Sequence, residues 1–207
     1  MELPTNRNLM RIVTITKVVA ETPSVKTFSF KDILSSGAKP GQFLMVWIPR
    51  KEEIPLSIMV SDTEDSAAIT IRKNGLASTS LFNKKLGDKI GIRGPYGNSF
   101  SVVNEGRKSV VLIGGGTGLV PLVRLIKRMK DRDLKITVIV GARTKNELFF
   151  LDLISDLLKD NVYKLLISTE DGTKGQKGYP TDILHDLLSK DYVIDFIYTC
   201  GPELMMK

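Results

Sequence analysis

The sequence predicts a two-part protein, an antiparallel β-domain followed by an α/β domain built on a parallel sheet. Three observations predict it. Up to about Val103 the chain runs in short strands rich in Val, Ile, Thr and aromatics, separated by turns. After about Asn104, continuous apolar strands alternate with segments of helical spacing. At the first strand-to-helix junction of that second half stands the glycine-rich run "SVVLIGGGTGLVP", Ser109 to Pro121. A chain of 207 residues can form one large domain or two of about 100 residues each, and either can bury a core. No internal repeat or low-complexity linker is present. The boundary falls near Ser101 to Arg107, in the polar "NEGRK", giving domains 1–103 and 104–207.

In the first half the strands are "RIVTITKVVA", "VKTFSF", "QFLMVWI", "LSIMVS" and "AAITIRK". Turn clusters such as "AKPGQ" and "SDTEDS" lie between them, and "RGPYGNSF" reads as a Gly-Pro turn with a second Gly before the junction. Strands this short and numerous make a barrel or a sandwich. One helix, "STSLFNKKL", interrupts them, capped by Ser78 or Thr79. In the second half "KSVVLIG", "LKITVIVGA", "YKLLIST" and "DFIYTCG" read as strands, and "LVPLVRLIKRMKD", "NELFFLDLISDLLKD" and "TDILHDLLSK" as helices. Strands apolar throughout imply a parallel sheet covered on both faces.

Composition narrows the function classes. Hydrophobic content of 42% and charged content of 26% are those of an ordinary globular protein. Thirty Lys and Arg against 23 Asp and Glu give a net charge of +7, but the bases are interleaved with acids. A nucleic-acid binder would concentrate them and intersperse aromatics, so none is expected as a partner; an anionic cofactor or acidic partner would benefit from the field. The single cysteine, Cys200, excludes an internal disulfide framework and a cysteine-ligated zinc or iron–sulfur site within the chain, and it suits a reducing compartment. No metal site is expected. The single histidine, His185, reads as a surface helix residue rather than a catalytic base. "MELPTNRNLMRIV" lacks the apolar core of a signal peptide, and no stretch is long enough to span a membrane, so a cytoplasmic location is expected.

The glycine run ends a parallel strand, where open α/β sheets bind ligands. A helix N-terminus there offers amides and partial positive charge to phosphate, and glycine lets backbone come close. Pro121 suits a first helical turn. The pattern is not the Rossmann one, which needs glycine where Leu119 stands, nor a Walker loop, since no Gly-Lys-Ser/Thr follows. On this stretch alone a plain tight turn without ligand stays open. Three more segments bring small and polar residues to the same rim: "TCGPELM" with Cys200, Gly201 and Pro202; "STEDGTKGQKGYPTD" with Thr169, Glu170, Asp171 and Gly172; and "VGARTKNEL" with Gly141, Ala142, Arg143 and Lys145.

In order along the chain, "PLSI", "GLASTSLF", "GPYGNSF", "IGGGTGLVPL", "GARTKNEL" and "TCGPELM" resemble the ferredoxin–NADP reductase superfamily, in which a flavin-binding β-barrel precedes a pyridine-nucleotide domain. The resemblance covers essentially the whole chain. "STEDGTKGQKGYPTD" looks most like the electron-transfer subunits of dihydroorotate dehydrogenase. The resemblance implies that Pro55, Leu56, Ser57 and Ile58 line the ring of FAD, with Ser57 facing its reactive nitrogen. Thr70, Ile71 and Arg72 would run beside the flavin and its phosphates, with Gly75, Ser78 and Thr79 at the pyrophosphate and Gly94 and Pro95 in the flavin half. Gly114, Gly115, Gly116, Thr117 and Gly118, with Pro121, would cradle NAD(P)H. Gly141, Ala142, Arg143, Thr169, Asp171 and Gly172 would complete that site, and Cys200, Gly201 and Pro202 would lie near the nicotinamide. Ser57 and Cys200 are the implied catalytic positions. Other readings stay open: an ordinary strand hydroxyl for Ser57, a small core residue for Cys200, and for Arg143 and Lys145 either a 2′-phosphate contact or solvated loop charges.

Two departures stand out. Where the family carries an arginine for the cofactor phosphate, three residues before Ser57, this chain has Ile54. The charge would then come from Arg72, the helix N-terminus, Arg50 or Lys51, and FAD binding would be weaker or the site altered. The family's cysteine-rich two-iron segment is also missing after "CGPELMMK", so no iron–sulfur cluster is expected in this chain. That ending fits either a chain cut short or its natural end. The function implied is a flavoprotein subunit that exchanges hydride between NAD(P)H and FAD and passes electrons to or from a catalytic dehydrogenase subunit, dihydroorotate dehydrogenase of pyrimidine biosynthesis, in a hetero-oligomer. Two alternatives remain: a stand-alone NAD(P)H-dependent ferredoxin or flavin reductase, and a non-catalytic flavin- or nucleotide-binding subunit.

Overall fold

The computed structural model describes residues 6–49, 51–103, 106–190 and 192–206. Arg50, named above as a possible phosphate cation, and Asn104 at the expected boundary lie outside them. The chain divides into two units, Met1–Phe100 and Ser101–Lys207.

The first unit contains β1 (Arg11–Thr22), β2 (Val25–Lys31), α1 (Ile33–Ser36), β3 (Phe43–Trp47), β4 (Glu53–Met59), β5 (Ser66–Arg72), α2 (Leu76–Phe82) and β6 (Lys89–Tyr96). Its strands close into a barrel in the order β1-β2-β5-β4-β3-β6, antiparallel at each junction. Phe28, Phe30, Leu44, Ile58, Ile69 and Ile92 fill its interior, essentially inaccessible to water. Each such side chain contributes roughly 1.5–3 kcal/mol through burial. Buried Thr27 and Thr70 face each other across β2 and β5 with their hydroxyls 2.9 Å apart, so neither polar group is left unpaired.

Strand β6, which closes the barrel, is absent from the sequence reading. There Gly94 and Pro95 form a turn; in the structure they lie inside the strand. The glycines serve close approach instead. A methyl group on Gly91 would lie 2.6 Å from Met10 Sδ and 2.9 Å from Trp47 Cε3, and Gly94 has φ +114°. The register with β3 shifts between Phe43 and Met45, as at a bulge. Helix α2 also differs: its N-cap is Gly75, not Ser78 or Thr79, and it ends at Phe82. Ser78 sits one turn in, where its Oγ accepts from the amides of Asn74 (3.0 Å) and Gly75 (2.8 Å).

The second unit contains β7 (Lys108–Gly115), α3 (Leu119–Met129), β8 (Leu134–Ala142), α4 (Leu151–Leu158), β9 (Val162–Thr169), β10 (Gln176–Lys177), α5 (Pro180–Leu188), β11 (Phe196–Cys200) and α6 (Glu203–Met206). The sheet is parallel, in the order β10-β9-β8-β7-β11. The central strands β7 and β8 are buried apart from Lys108, Lys135 and half-buried Ala142, whereas Val162 of β9 and Phe196 and Ile197 of β11 are exposed. The helix expected over "NELFFLDLISDLLKD" starts only at Leu151. Phe149 and Phe150 bury their rings edge to face, 4.7 Å between centroids, and Phe150 takes φ +64°. Burial of two rings outweighs a left-handed residue, which costs roughly 1–3 kcal/mol.

Among the described residues no helix is long and apolar enough to cross a membrane. His185 is exposed on α5, as expected.

Candidate coenzyme and flavin sites

The glycine run bends the chain from β7 into α3 through a 3-10 turn, Gly116–Gly118, with Gly116 at φ +55°. Thr117 lies within this turn. α3 then buries one face, including Leu122, Val123, Leu125 and Ile126, and carries Lys127 and Arg128 in its last turn, where they complement the helix dipole. Pro121 is the third helical residue, where a missing amide leaves no intrahelical bond unmade. No acidic side chain occupies the first turn.

The close approaches that these glycines allow are largely between parts of the chain itself. A methyl on Gly114 would stand 2.6 Å from Leu119 Cδ2 and 2.9 Å from Leu122 Cδ1, so Gly114 lets α3 settle on its own strand. At Gly118 it would collide with the backbone of Cys200 and lie 2.6 Å from Gly201 Cα. A methyl on Gly115 would stand 3.1 Å from Met205 Sδ, 3.4 Å from the Gly141 carbonyl oxygen and 3.6 Å from Pro202 Cδ, and one on Gly141 would stand 2.6 Å from Pro180 Cγ. The ends of β7, β8 and β11 are thus brought together, as the rim reading expects. The neighbourhood of Met205 and Pro180 is not legible in the sequence, because it depends on which turn each strand end meets. Cys200 is half-buried, and burial pushes its thiol above the ordinary range, so at neutral pH it is a neutral, compact wall residue.

A second cluster joins the loops after β8 and β9. The amides of Glu170 and Asp171 donate to the carbonyls of Ala142 (3.1 Å) and Arg143 (3.2 Å). Thr169 Oγ1 accepts from the Lys174 amide at 3.0 Å, and Gly172 turns the loop at φ +78°. The Asp171 carboxylate accepts from the hydroxyl and amide of Thr173, which hold it below the usual carboxylate range. Lys145 donates its amide to Thr173 Oγ1 at 2.9 Å. Arg143 pairs with Glu147, Nη2 to Oε1 2.7 Å. Glu147 escaped the sequence reading, although its place four residues after Arg143 is a legible pairing signal.

In the barrel, Ser57 is half-buried on β4 opposite Phe43, and exposed Pro55 lies opposite Met45. Ile54 and Leu56 pack against the barrel core, so Ile54 supplies apolar contact in place of a charge. Of the positions expected to line a cofactor, Ile58 and Ile71 bury their side chains in the barrel core, with exposures of 0% and 5%, and Thr70, 3% exposed, points to the other face of β5 against Thr27. Arg72, partly exposed at the end of β5, is the cation next in line. The first turn of α2 carries no acid, and the Leu76, Ala77 and Ser78 amides precede the first intrahelical bond, Thr79 to Gly75. A methyl on Gly75 would meet nothing nearer than Ser78 Oγ at 3.9 Å. This donor set fits an anionic cofactor. Lys51 is exposed. Among the described residues, no group of three or more His, Cys, Asp or Glu is arranged to hold a metal.

A closed antiparallel barrel followed by a parallel-sheet unit with a glycine-lined rim defines a ferredoxin reductase-like oxidoreductase. Residues 112–207 match the family model of the oxidoreductase NAD-binding domain. A chain in the structure of NADH-dependent reduced ferredoxin–NADP oxidoreductase superimposes with a TM-score of 0.82 at 30% identity, over 95% of this chain and 70% of that one. A probable electron-transfer subunit of dihydroorotate dehydrogenase B (NAD(+)) from Methanocella arvoryzae is 39% identical over 193 residues, 93% of this chain and 69% of that protein. One of the same description from Thermococcus kodakarensis is 38% identical, over 96% of this chain and 78% of that protein. The chain belongs to the ferredoxin–NADP reductase superfamily and, within it, to the family of dihydroorotate dehydrogenase B electron-transfer subunits.

Proposed function

We propose that this chain is a flavoprotein electron-transfer subunit of the cytoplasm. It exchanges hydride between NAD(P)H and bound FAD, and it passes electrons to or from dihydroorotate dehydrogenase in a hetero-oligomer serving pyrimidine biosynthesis. The observation that carries this reading is the identity of 38–39% to such subunits across more than nine-tenths of the chain. Bound FAD would supply the hydride chemistry; the protein contributes position and electrostatics. Ser57 is the side chain for the reactive edge of the flavin, Arg72 and the first-turn amides of α2 are the partners of its phosphates, and residues 115–118 with 200–202 receive the nicotinamide nucleotide. Domain 1–103 is the flavin half and domain 104–207 the nucleotide half.

Anaerobic addition of NADH to FAD-loaded protein is expected to bleach the flavin absorbance near the visible maxima, and dihydroorotate dehydrogenase is expected to copurify. An unbleached flavin with both NADH and NADPH would overturn the hydride step. The 30% identity to the ferredoxin–NADP oxidoreductase chain supports a second reading, a reductase that turns over with ferredoxin alone. Steady turnover with ferredoxin in the absence of any dehydrogenase subunit would favour it.

A further inference from the structure

We propose that Met205 is a positioning residue for the nicotinamide end of the coenzyme, its thioether setting the width of the crevice between the ends of β7 and β11. The inference rests on the coenzyme reading above and adds to it a residue outside the glycine run and outside positions 200–202.

Strand β7 is followed in the chain by β8, its partner on one edge, while β11 pairs with its other edge, Cys200 opposite Gly114. The direction of travel across the sheet therefore reverses between β7 and β11. Open α/β sheets bind ligands at such a reversal, outside the carboxyl ends of the strands. Gly115 and Gly201 come next along the two strands, and neither has a side chain to fill the space between them. Met205 stands there instead. A methyl on Gly201 would lie 3.0 Å from Met205 Sδ, and one on Gly115 would lie 3.1 Å from the same atom. One sulfur thus reaches both strand ends.

Met205 is half-buried in α6, and its amide donates to the Pro202 carbonyl at 2.9 Å, so the side chain is carried by the turn that it supports. An unbranched thioether suits this gap, since its rotatable bonds let it follow an irregular wall. Removing it would leave a void between two strand ends that have no side chains of their own, and residues 200–202 would lose their support. Gly116 and Gly201 are half-buried and Thr117 and Pro202 exposed, so backbone near the sulfur is still open to a ligand. A misplacement of about 1 Å can slow a reaction on the order of a hundredfold, so a shift of residues 200–202 is felt at the nicotinamide rather than at the distant adenosine.

The test is equilibrium binding of NAD+ and of ADP-ribose, which lacks the nicotinamide, to the full chain as wild type, Met205→Leu, Met205→Ala and Met205→Val. Met205→Ala is expected to weaken NAD+ binding about tenfold and ADP-ribose binding by less than about twofold. Met205→Leu conserves volume and should stay within about twofold of wild type for both ligands. Met205→Val keeps bulk but not reach and should show the same selective loss as Met205→Ala, so it decides the matter if the alanine variant does not fold. Equal losses for the two ligands mark a general structural role and overturn the proposal, as does unchanged NAD+ affinity in the alanine and valine variants; in both cases the coenzyme reading stands. A wild-type chain that binds neither ligand overturns both.

Discussion

At Gly118 one methyl group would be enough to disturb the rim of the second unit. Its backbone dihedrals are ordinary helical ones, φ −63° and ψ −18°, so any residue could adopt them. The restriction is steric, from the Cys200 backbone and from Gly201 Cα at 2.6 Å. Gly118→Ala should therefore destabilise the protein by about 2 kcal/mol, the usual cost of overpacking, seen as a lower Tm. The sequence shows that "IGGGTG" needs small residues, but it does not show against what. Position decides: Gly114 answers to the apolar face of α3 and Gly118 to the neighbouring strand end. Arg143 illustrates the same limit, since its charge is legible while its partner, Glu147, becomes certain only once the loop turns back on itself.

Element by element, the barrel is fastened at one end by a charged clasp. Arg11 at the start of β1 donates to both carboxylate oxygens of Asp32, at 2.8 and 3.0 Å, and also to the Gly94 carbonyl of β6 at 3.0 Å. Asp32 in turn caps α1 through the amide and hydroxyl of Ser35. Burial alone would raise the Asp32 pKa, but the bonds from Arg11 and Ser35 outweigh it and hold the carboxyl below its ordinary value. A folded-state pKa below the unfolded one contributes stability above about pH 4 that is lost as pH falls through the folded value. Asp32→Asn is expected to cost about 3 kcal/mol at pH 7, with the gap to wild type closing as the pH falls below the carboxylate range. Chemical denaturation at several pH values measures both. Elements with a clean apolar rhythm, such as α3 and β8, were legible in advance. Strand β6 was not, because Gly91, Gly94 and Pro95 are turn formers by local preference and only the facing Met10, Trp47 and β3 make them strand residues.

For the whole molecule, the expectation is that FAD loads onto the folded chain and not the unfolded one. Saturating FAD should then raise Tm in proportion to the logarithm of its concentration above Kd, by linkage. Thermal melts across an FAD series check this, and a Tm independent of FAD would count against a flavin site. The change of rhythm after about residue 100 carried the division into a β-part and an α/β-part, since a period of two and a run of strand–helix alternation bury their apolar faces in different ways. The sequence alone also determined the class of chemistry: a glycine-lined strand end, no acid–base constellation, and an ordered set of motifs shared with flavin and pyridine-nucleotide enzymes. Only the tertiary structure decided that the barrel closes through β6, that Ile58 and Ile71 turn into its core, and that Arg143 is held by Glu147. The reason is physical. Periodicity and propensity are local, and they fix which residues must be buried or turned. Strand closure, steric fit at a glycine and the partner of a charge are set by residues distant in the chain that meet only when it folds.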